Sequence, residues 1–317
     1  MQPITIATSF PIMSGAKATD TRVENSLSPT AISGQAAARV WRCGRRVFAL
    51  ERPLIMGIVN VTPDSFSDGG RFFAHDAALA HALALLEAGA DLLDIGGEST
   101  RPGAAEVPVD EELRRVLPLV EQLAQRGATV SVDTSKPDVM AAALACGGCV
   151  INDVRALQMP GAIEVVAASD CGVVLMHMQG TPQTMQLAPQ YQNVVAEVAS
   201  FLVRRRTALL NAGVSGERIA FDPGLGFGKT LAHNYTLLAR LRELSELGQP
   251  LVVGISRKSM VGGAVTGRAI NERATASVAA AVLALERGAS VLRVHDVAAT
   301  RDAVAVWAAL HKHAAGQ

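Results

Sequence analysis

Aromatic residues and net charge are both scarce in this sequence of 317 residues. Phe, Trp and Tyr make up 4% of the chain, which is too little to supply the stacking surfaces that bind single-stranded nucleic acid. The 29 basic residues balance the 29 acidic ones, so a surface for a polyanion is not expected, although a local anion pocket is compatible with this balance. The composition argues against a nucleic-acid partner.

Long apolar runs and targeting signals are missing as well. No run approaches the ~20 residues that a membrane helix needs, and the first residues lack a basic cluster followed by an apolar core. We expect no membrane partner and no secretory signal. Residues 1–38 are rich in Ser, Thr, Ala and Gly without a clear period. They predict a mobile, disordered extension before a single catalytic domain over residues 39–317.

The four cysteines form no disulfide framework. Cys146 and Cys149 make a C-x-x-C pair, but no second pair accompanies them, and the two glycines between them are typical of a helix end. Unpaired cysteines usually behave as small buried apolar residues. The pattern favours a structural role and a cytoplasmic location, where thiols stay reduced.

One unit is repeated along the chain. Short apolar runs, as in parallel strands covered on both faces, are each followed by polar or glycine-rich residues and a helix-like segment. The runs occupy residues 54–60, 91–97, 129–134, 149–154, 172–178, 218–224, 250–256 and 290–296. Eight such units predict an α/β fold of the TIM (β/α)8 barrel class. A doubly wound open sheet is the alternative, although no G-x-G-x-x-G follows the first run.

Nearly every apolar run ends in a polar or ionisable residue. These residues are Asn60, Asp94, Asp133, Asn152, His177, Asp222, Ser256, Arg293 and His295. Any one of them could serve as a cap or turn residue. In a barrel, however, the carboxyl ends of the strands meet at the face that carries the active site, so the whole set predicts an active site there.

The strand-end residues have two chemical characters. The acceptor-rich group consists of Asp133, Asn152 and Asp222. Such groups suit a planar heterocycle with adjacent N–H donors. The donor-rich group, from the first and eighth strands, consists of Asn60, Arg293 and His295. Those strands are neighbours in a closed barrel, so this group predicts a phosphate or diphosphate pocket, with Lys258 as a further cation nearby.

Two segments resemble motifs of other chemistry. DPGLGFGKT, residues 222–230, resembles the end of a Walker A loop, but Pro223 stands where that motif requires glycine, which disfavours a nucleoside triphosphatase. His177 has no second histidine or carboxylate at metal-binding spacing, so we expect a hydrogen-bonded structural histidine. No G-x-S-x-G elbow is present, which excludes the common hydrolase pattern.

Taken together, the motifs resemble those of the dihydropteroate synthase family. IMGIVNVTPDSFSDGG, residues 55–70, is followed in the family's order by GGESTRPG, VDTSK, INDV, LMHMQGTPQTMQ, DPGLGFGK, SRKS and RVHD. The resemblance covers roughly residues 47–310. It implies a homodimeric barrel that condenses 6-hydroxymethyl-7,8-dihydropterin diphosphate with p-aminobenzoate, with Mg²⁺ as cofactor. The products would be 7,8-dihydropteroate and pyrophosphate, on the folate pathway.

The resemblance also implies roles for individual residues. The residues implied in pterin binding are Asp133, Asn152, Met176, Asp222, Lys258 and Arg293. Those implied in diphosphate binding are Asn60, Arg101, Arg293 and His295, with Asn60 also near the metal. Those implied in p-aminobenzoate binding are Phe66, Thr100, Pro102, Phe227 and Ser256. The residues expected to act in catalysis are Asp64, Arg101, Asp133, Asp222 and Lys258.

Two loops are expected to act as lids. The first follows Asn60 and contains Asp64, Ser65 and Phe66, and the second contains Arg101. The expected chemistry is a dissociative displacement in which the diphosphate leaves before the arylamine attacks. Water would destroy the cation formed in this way, so the site has to close during the reaction.

Other functions share parts of this pattern. A pterin-binding methyltransferase that acts with a corrinoid protein could use the same Asp and Asn set, but it gives no reason for the diphosphate and lid motifs. A non-catalytic homologue could bind the pterin as a sensor, although intact Asn60, Lys258, Arg293 and His295 count against it. A Walker-type phosphate protein is opposed by Pro223.

Overall fold

The computed structural model of the chain describes residues 40–61, 70–101 and 103–314, and for residues 70–74 it describes the backbone alone. The predicted extension, residues 1–38, lies outside the described residues. So do four residues with predicted roles, Asp64, Ser65, Phe66 and Pro102.

Eight parallel strands among the described residues form the wall of a barrel. In chain order the strands are β1 (Val40–Cys43), β2 (Arg46–Ala49), β3 (Leu54–Asn60), β4 (Leu92–Gly96), β5 (Val130–Asp133), β6 (Val150–Asp153), β7 (Gly172–Met176), β8 (Ile219–Asp222), β9 (Val252–Val253) and β10 (Val291–Val294). The parallel strands follow the order β8-β7-β6-β5-β4-β3-β10-β9, and a parallel bridge from Phe221 to Leu251 joins the two ends. The predicted TIM barrel is confirmed and the open sheet is wrong, because each predicted run contains one strand of the ring.

Helices follow the strands and cover the outside of the barrel. The α-helices of the described residues are α1 (Gly70–Glu87), α2 (Val109–Gln125), α3 (Pro137–Ala145), α4 (Ala162–Ala167), α5 (Val194–Asn211), α6 (Leu231–Ala239), α7 (Leu241–Ser245), α8 (Ser259–Ala264), α9 (Ala274–Leu285) and α10 (Val297–Ala314). Helix α2 shows why they pack this way, since Val116, Leu119 and Leu123 recur at helical spacing and are buried. Among the helices described, none has both the length and the apolar character to span a membrane.

Side chains alternate along each strand between two apolar cores. In β3, Ile55 and Val59 belong to the larger core between strands and helices, whereas Leu54 and Met56 belong to a smaller one inside the barrel. The same alternation brings Asn60 to the inside at the carboxyl end of β3. Apolar side chains therefore fill the amino-terminal half of the barrel, and polar ones are left at the other end.

A hairpin of β1 and β2 that the sequence pattern did not predict closes the amino-terminal end of the barrel. The strands pair antiparallel, with Val40 opposite Ala49. Trp41 and Cys43 are fully buried in the inner core, and Trp41 Nε1 donates a hydrogen bond of 3.0 Å to the Arg218 carbonyl just before β8. The hairpin thus acts as a plug opposite the predicted active site.

The cysteines have no disulfide partners. All four are free, and Cys43 and Cys171 are buried. Cys146 ends α3 and Cys149 precedes β6, as the pattern of the C-x-x-C pair predicts. The structural interpretation of that pair agrees with these positions.

Replacing Trp41 with alanine should lower the free energy of unfolding by about 3–5 kcal/mol, because it leaves a cavity in the inner core. Val47→Ala is the matched control, since Val47 is 49% exposed on the same hairpin and should change stability by less than ~0.5 kcal/mol. Urea unfolding followed by circular dichroism measures both. A Trp41→Ala loss no larger than that of the control would contradict the plug.

Candidate active site

The carboxyl ends of the strands surround a cavity of about 630 Å³. Nine residues with predicted roles line it, namely Asn60, Thr100, Arg101, Asp133, Phe227, Ser256, Lys258, Arg293 and His295. They come from β3, β5 and β10 and from the segments after β4, β8, β9 and β10. The structure therefore brings together residues that are distant in the sequence.

Three further residues with predicted roles do not line this cavity but are buried beside it. Asn152 lies next to Asp133 in the register of β5 and β6, and Met176 lies next to Asp222 in the register of β7 and β8. Asn152, Met176 and Asp222 are each at most 5% exposed. These side chains belong to the packed floor under the cavity.

Asp94 is the centre of a buried hydrogen-bond network in this floor. Its carboxylate accepts from Ser131 Oγ at 2.6 Å, from Asn152 Nδ2 at 3.1 Å and from Arg293 Nε at 2.6 Å. Arg293 also donates from Nη2 to Asp133 Oδ2 at 2.8 Å. The guanidinium thereby joins carboxylates from β4 and β5, and the donors and acceptors of the floor are held in fixed positions.

Burial disfavours the charged forms of the ionisable side chains around this floor and shifts their pKa values. It raises the pKa of Asp133, although Arg293 opposes the shift, and it raises the pKa of Asp222, although Lys258 opposes it. Burial also lowers the pKa of Lys258 to about 8, again with Asp222 opposing and Arg293 adding to the shift. Several displaced pKa values in one cavity are typical of a functional site.

The loop after β9 is clamped to the end of β10. Arg257 has a left-handed backbone (φ 60°), which is uncommon outside glycine. Its guanidinium donates to both oxygens of Asp296, at 3.1 and 2.5 Å, and its N–H donates to Ser277 Oγ at 2.9 Å. Ser256 Oγ accepts from the His295 N–H at 3.2 Å and lies 3.0 Å from His295 Nδ1. The clamp fixes the loop that carries several of the lining residues.

The cavity has an excess of positive charge. Its cationic side chains are Arg101, Arg257, Lys258, Arg273 and Arg293, and its carboxylates are Glu98 and Asp133. Burial, with Arg257 and Arg293, lowers the pKa of His295 to about 4, so its imidazole is neutral at neutral pH and still offers one N–H donor. This combination suits an anionic ligand.

The loop after β4 is also anchored. Lys136 forms ion pairs with Glu98 and Glu112, and the second, between Nζ and Oε2 at 2.6 Å, is with a fully buried carboxylate. Arg115 Nη1 donates to the Gly97 carbonyl at 2.9 Å. These contacts hold the wall of the cavity from which the following loop residues extend.

Asn60 is the candidate metal ligand. Over the residues described, no group of three or more His, Cys, Asp or Glu could hold a metal. Asn60 places an amide group at the cavity, and Mg²⁺ commonly takes one or two protein oxygens and completes its shell with water and phosphate. The donors present therefore fit a cation that binds together with a diphosphate.

The segment that resembles a Walker loop does not present its lysine to the cavity. Lys229 is 2% exposed, and its Nζ lies 3.0 Å from His177 Nδ1. His177 packs against Phe201 with ring centroids 5.0 Å apart. His177 is thus the hydrogen-bonded structural histidine that the sequence predicts.

Some residues that build the site had no individual role in the prediction. Asp94 was among the strand-end residues of the predicted active site, since it is a charged residue within the apolar run LLDIG, but its place at the centre of the network was not predicted. Arg273 lines the cavity and donates to the Arg257 carbonyl at 3.3 Å, but nothing in its sequence context indicates this. The pairing of Arg257 with Asp296 joins two separate loops, and sequence spacing does not reveal it.

Replacing Lys258 with methionine should raise the melting temperature at pH 7, because burial disfavours the ammonium group and lowers its pKa to about 8. Between about pH 8 and about pH 10 the folded protein binds fewer protons than the unfolded chain, so the wild type gains stability from this group as pH rises. The advantage of the variant should shrink over that range.

Thermal unfolding at several pH values tests this, with Lys312→Met, at the exposed end of α10, as the control that should show no such trend. A Lys258→Met protein that is less stable than the wild type at pH 7 would contradict the conclusion that burial of the Lys258 ammonium group reduces stability.

Comparisons with known proteins agree with this geometry. A family profile described as Pterin binding enzyme matches residues 56–295. Dihydropteroate synthase of Neisseria meningitidis serogroup C is 51% identical over 278 residues, which cover 86% of this chain and 98% of the relative. The structure of Xanthomonas albilineans dihydropteroate synthase with 4-aminobenzoic acid has a TM-score of 0.82 and 54% identity, covering 86% of this chain and 98% of that one.

A further solved structure contains 7,8-dihydropteroate. Burkholderia cenocepacia dihydropteroate synthase complexed with 7,8-dihydropteroate has a TM-score of 0.81 and 50% identity, covering 88% of this chain and 99% of that one. The agreement extends over nearly the whole length of these relatives. This chain belongs to the pterin-binding enzymes and, among them, to the dihydropteroate synthase family.

Proposed function

We propose that this chain condenses 6-hydroxymethyl-7,8-dihydropterin diphosphate with p-aminobenzoate to give 7,8-dihydropteroate and pyrophosphate. The observation that carries the proposal is a single cavity with a carboxylate floor, an excess of cations and an aromatic side chain in its wall. The relatives support the same reaction, since one was solved with 4-aminobenzoic acid and another with 7,8-dihydropteroate.

The pterin is proposed to bind at the floor. Carboxylates can accept from two adjacent N–H groups of a heterocycle, which is the role proposed for Asp133 and Asp222. Asn152 would contribute an amide beside Asp133, and Met176 would pack near the ring. The other residues proposed for this subsite are Lys258 and Arg293.

The diphosphate is proposed to bind at the cationic side of the cavity. The residues proposed to hold it are Asn60, Arg101, Arg293 and His295. We also propose that Mg²⁺ binds here with an oxygen from Asn60. When bound, the ion would neutralise charge on the diphosphate oxygens. Arg293 uses two of its five N–H donors on Asp94 and Asp133, so it can make further hydrogen bonds.

The arylamine is proposed to bind where the loops meet. Thr100, Phe227 and Ser256 line the cavity together, and Phe227 supplies a ring face with Lys258 Nζ 4.5 Å from its centroid. An aromatic substrate can pack against such a ring. Phe66 and Pro102 are proposed for the same subsite and lie outside the described residues.

The chemistry is proposed to be a dissociative displacement. The bond between the pterin methylene carbon and the diphosphate oxygen breaks first, and the electron pair leaves with pyrophosphate. The carboxylates of Asp133 and Asp222 would stabilise the positive charge that develops on the pterin. The arylamine nitrogen then forms the new C–N bond and loses a proton to solvent. Asp64 and Arg101, in the two predicted lids, are proposed to shield this step from water.

Pyrophosphate release tests this proposal directly. With Mg²⁺, the wild type should release pyrophosphate and form 7,8-dihydropteroate only when p-aminobenzoate is present. Asn60→Ala should raise the Mg²⁺ concentration for half-maximal rate by about tenfold or more. Asn211→Ala, at an exposed position at the end of α5, is the matched control and should leave it unchanged.

Two further measurements, of pterin diphosphate binding and of methyl transfer, separate the alternatives. Binding of the pterin diphosphate without any release would indicate a non-catalytic homologue. Methyl transfer to a cobalamin protein, without use of the arylamine, would indicate a corrinoid-dependent methyltransferase. Either result would contradict the synthase.

We also propose that the chain forms a homodimer through α9 and α10. Leu283, Val306 and Leu310 are 48%, 73% and 63% exposed on these helices, and Val306 and Leu310 share one helix face. An exposed apolar patch of this kind favours association. A second copy of the chain would present the same patch, as a two-fold interface requires.

Replacing both Val306 and Leu310 with glutamate should convert the dimer to a monomer, because it places charges within the apolar contact. Light scattering coupled to size exclusion measures the mass. Leu210→Glu, which alters an exposed leucine on α5, should leave the mass unchanged. A wild type that is monomeric at micromolar concentration would refute the interface.

A cytoplasmic location is proposed as well. The four cysteines are free, and two of them are buried. Free thiols persist in a reducing compartment and tend to pair in oxidising ones. The cysteine chemistry therefore supports the cytoplasm.

A further inference from the structure

Lys229 is a buried cation for which the proposed reaction gives no role. Its Nζ lies 3.0 Å from His177 Nδ1, and it donates to the carbonyls of His177, Gly224 and Phe227 at 3.3, 2.9 and 2.9 Å. These acceptors belong to two loops, one after β7 and one after β8. An ammonium group has three N–H donors and no acceptor, so a cluster of acceptors alone suits it.

The loop after β8 lies directly against the loop after β7. Gly224 has φ 66°, and a Cβ added there would lie 1.8 Å from the His177 carbonyl oxygen. Gly228 has φ 60°, and a Cβ there would lie 2.6 Å from the Gln179 carbonyl oxygen. Carbonyls buried by such close packing need a donor, because leaving them unpaired costs free energy. Lys229 supplies a donor to the His177 carbonyl, at 3.3 Å, from within the same loop.

The opposite side of the same loop builds the cavity. Lys258 Nζ donates to the Leu225 carbonyl at 2.6 Å and lies 4.5 Å from the centroid of the Phe227 ring. Asp222 precedes the loop, and its Oδ1 accepts from the Gly224 N–H at 2.7 Å. One lysine therefore holds the loop from its buried side, and another contacts it from the cavity.

We propose that Lys229 is a positioning residue for the arylamine half of the reaction. It donates directly to the Phe227 carbonyl, and it does not line the cavity that the substrates are proposed to occupy. This inference rests on the proposed function.

The charges around Lys229 support this role. Burial lowers its pKa to about 7, with Asp222 opposing the shift and Lys258 adding to it. Burial, with Lys229 and Arg204, lowers the pKa of His177 to about 3, so the imidazole stays neutral and Nδ1 can accept. A lysine held at this cost in stability, beside a substrate loop, is typical of a functional requirement.

Other contacts should keep the loop folded when Lys229 is changed. The Gly226 N–H donates to Asn234 Oδ1 at 2.6 Å, and Tyr191 Oη donates to the Gly228 carbonyl at 2.8 Å. Neither contact involves the lysine side chain. Loss of the ammonium group should therefore shift the middle of the loop, where Phe227 lies, rather than unfold it.

Lys229→Met tests the inference by removing the donors while keeping most of the side-chain volume. The KM for p-aminobenzoate should rise by about tenfold or more, the range expected when buried carbonyls lose their donor. The dissociation constant of the pterin diphosphate, measured by calorimetry, should change much less, because most of the residues proposed for the pterin ring lie on strands, namely Asp133, Asn152, Met176, Asp222 and Arg293. Lys229→Gln, which retains two N–H donors, should give an intermediate KM.

Arg218→Met is the matched control. Arg218 precedes β8 at the other end of the barrel, is 7% exposed and donates to the Cys171 and Val166 carbonyls at 2.7 and 2.8 Å. Its loss also leaves buried carbonyls without a donor. The melting temperature should fall, whereas the KM for p-aminobenzoate should not move.

The outcomes separate the two proposals. A wild type that releases no pyrophosphate in response to p-aminobenzoate would defeat the proposed function. An active wild type in which Lys229→Met leaves the KM unchanged, or weakens both substrates equally, would overturn the positioning role alone. If Lys229→Met does not fold, Lys229→Gln decides between these outcomes by the same two measurements.

Discussion

The ion pair between Arg293 and Asp94 is the contact on which the arrangement of the site depends. Asp94 is fully buried in β4, and Arg293 reaches it from β10 at 2.6 Å. A buried carboxylate is tolerated only when its charge is paired and its remaining lone pairs are bonded, as Ser131 and Asn152 ensure here. Asp133 then shares the same guanidinium. The pair thus connects β4 and β10, the two strands that flank β3.

Such a polar floor is possible because the rest of the barrel interior is apolar. Trp41 and Met56 are fully buried in the amino-terminal half, where the hairpin closes the barrel. Their burial stabilises the fold, while the cavity end holds charged groups whose displaced pKa values reduce stability. Stability and chemistry are therefore separated along the barrel axis. This separation is a consequence of the strict alternation of side chains along each strand.

Cations also hold the loops around the cavity in place. Arg257 is fixed in a left-handed conformation by Asp296, Lys136 pairs with Glu98, and Lys229 donates to carbonyls of the loop after β8. In each case the charged group joins a loop to a neighbouring strand end or helix. Loops have few apolar contacts of their own, so charge-assisted hydrogen bonds are an effective way to limit their motion. The cavity is accordingly shaped by residues behind it as well as by those that line it.

The spacing of apolar residues along the sequence was sufficient to predict the eight strand–helix units and the strand ends that carry Asn60, Asp133 and Asp222. This spacing depends only on residues that are near one another in the chain. The hairpin around Trp41 was missed, since its strands have four residues each and show no usable period. The partners of each charged group became clear only once the barrel closed. Arg293 and Asp94 are 199 residues apart in sequence, and nothing local indicates that they meet. The same holds for Lys229: Pro223 already counted against a Walker loop, but only the packing of two loops shows that its side chain is buried against His177.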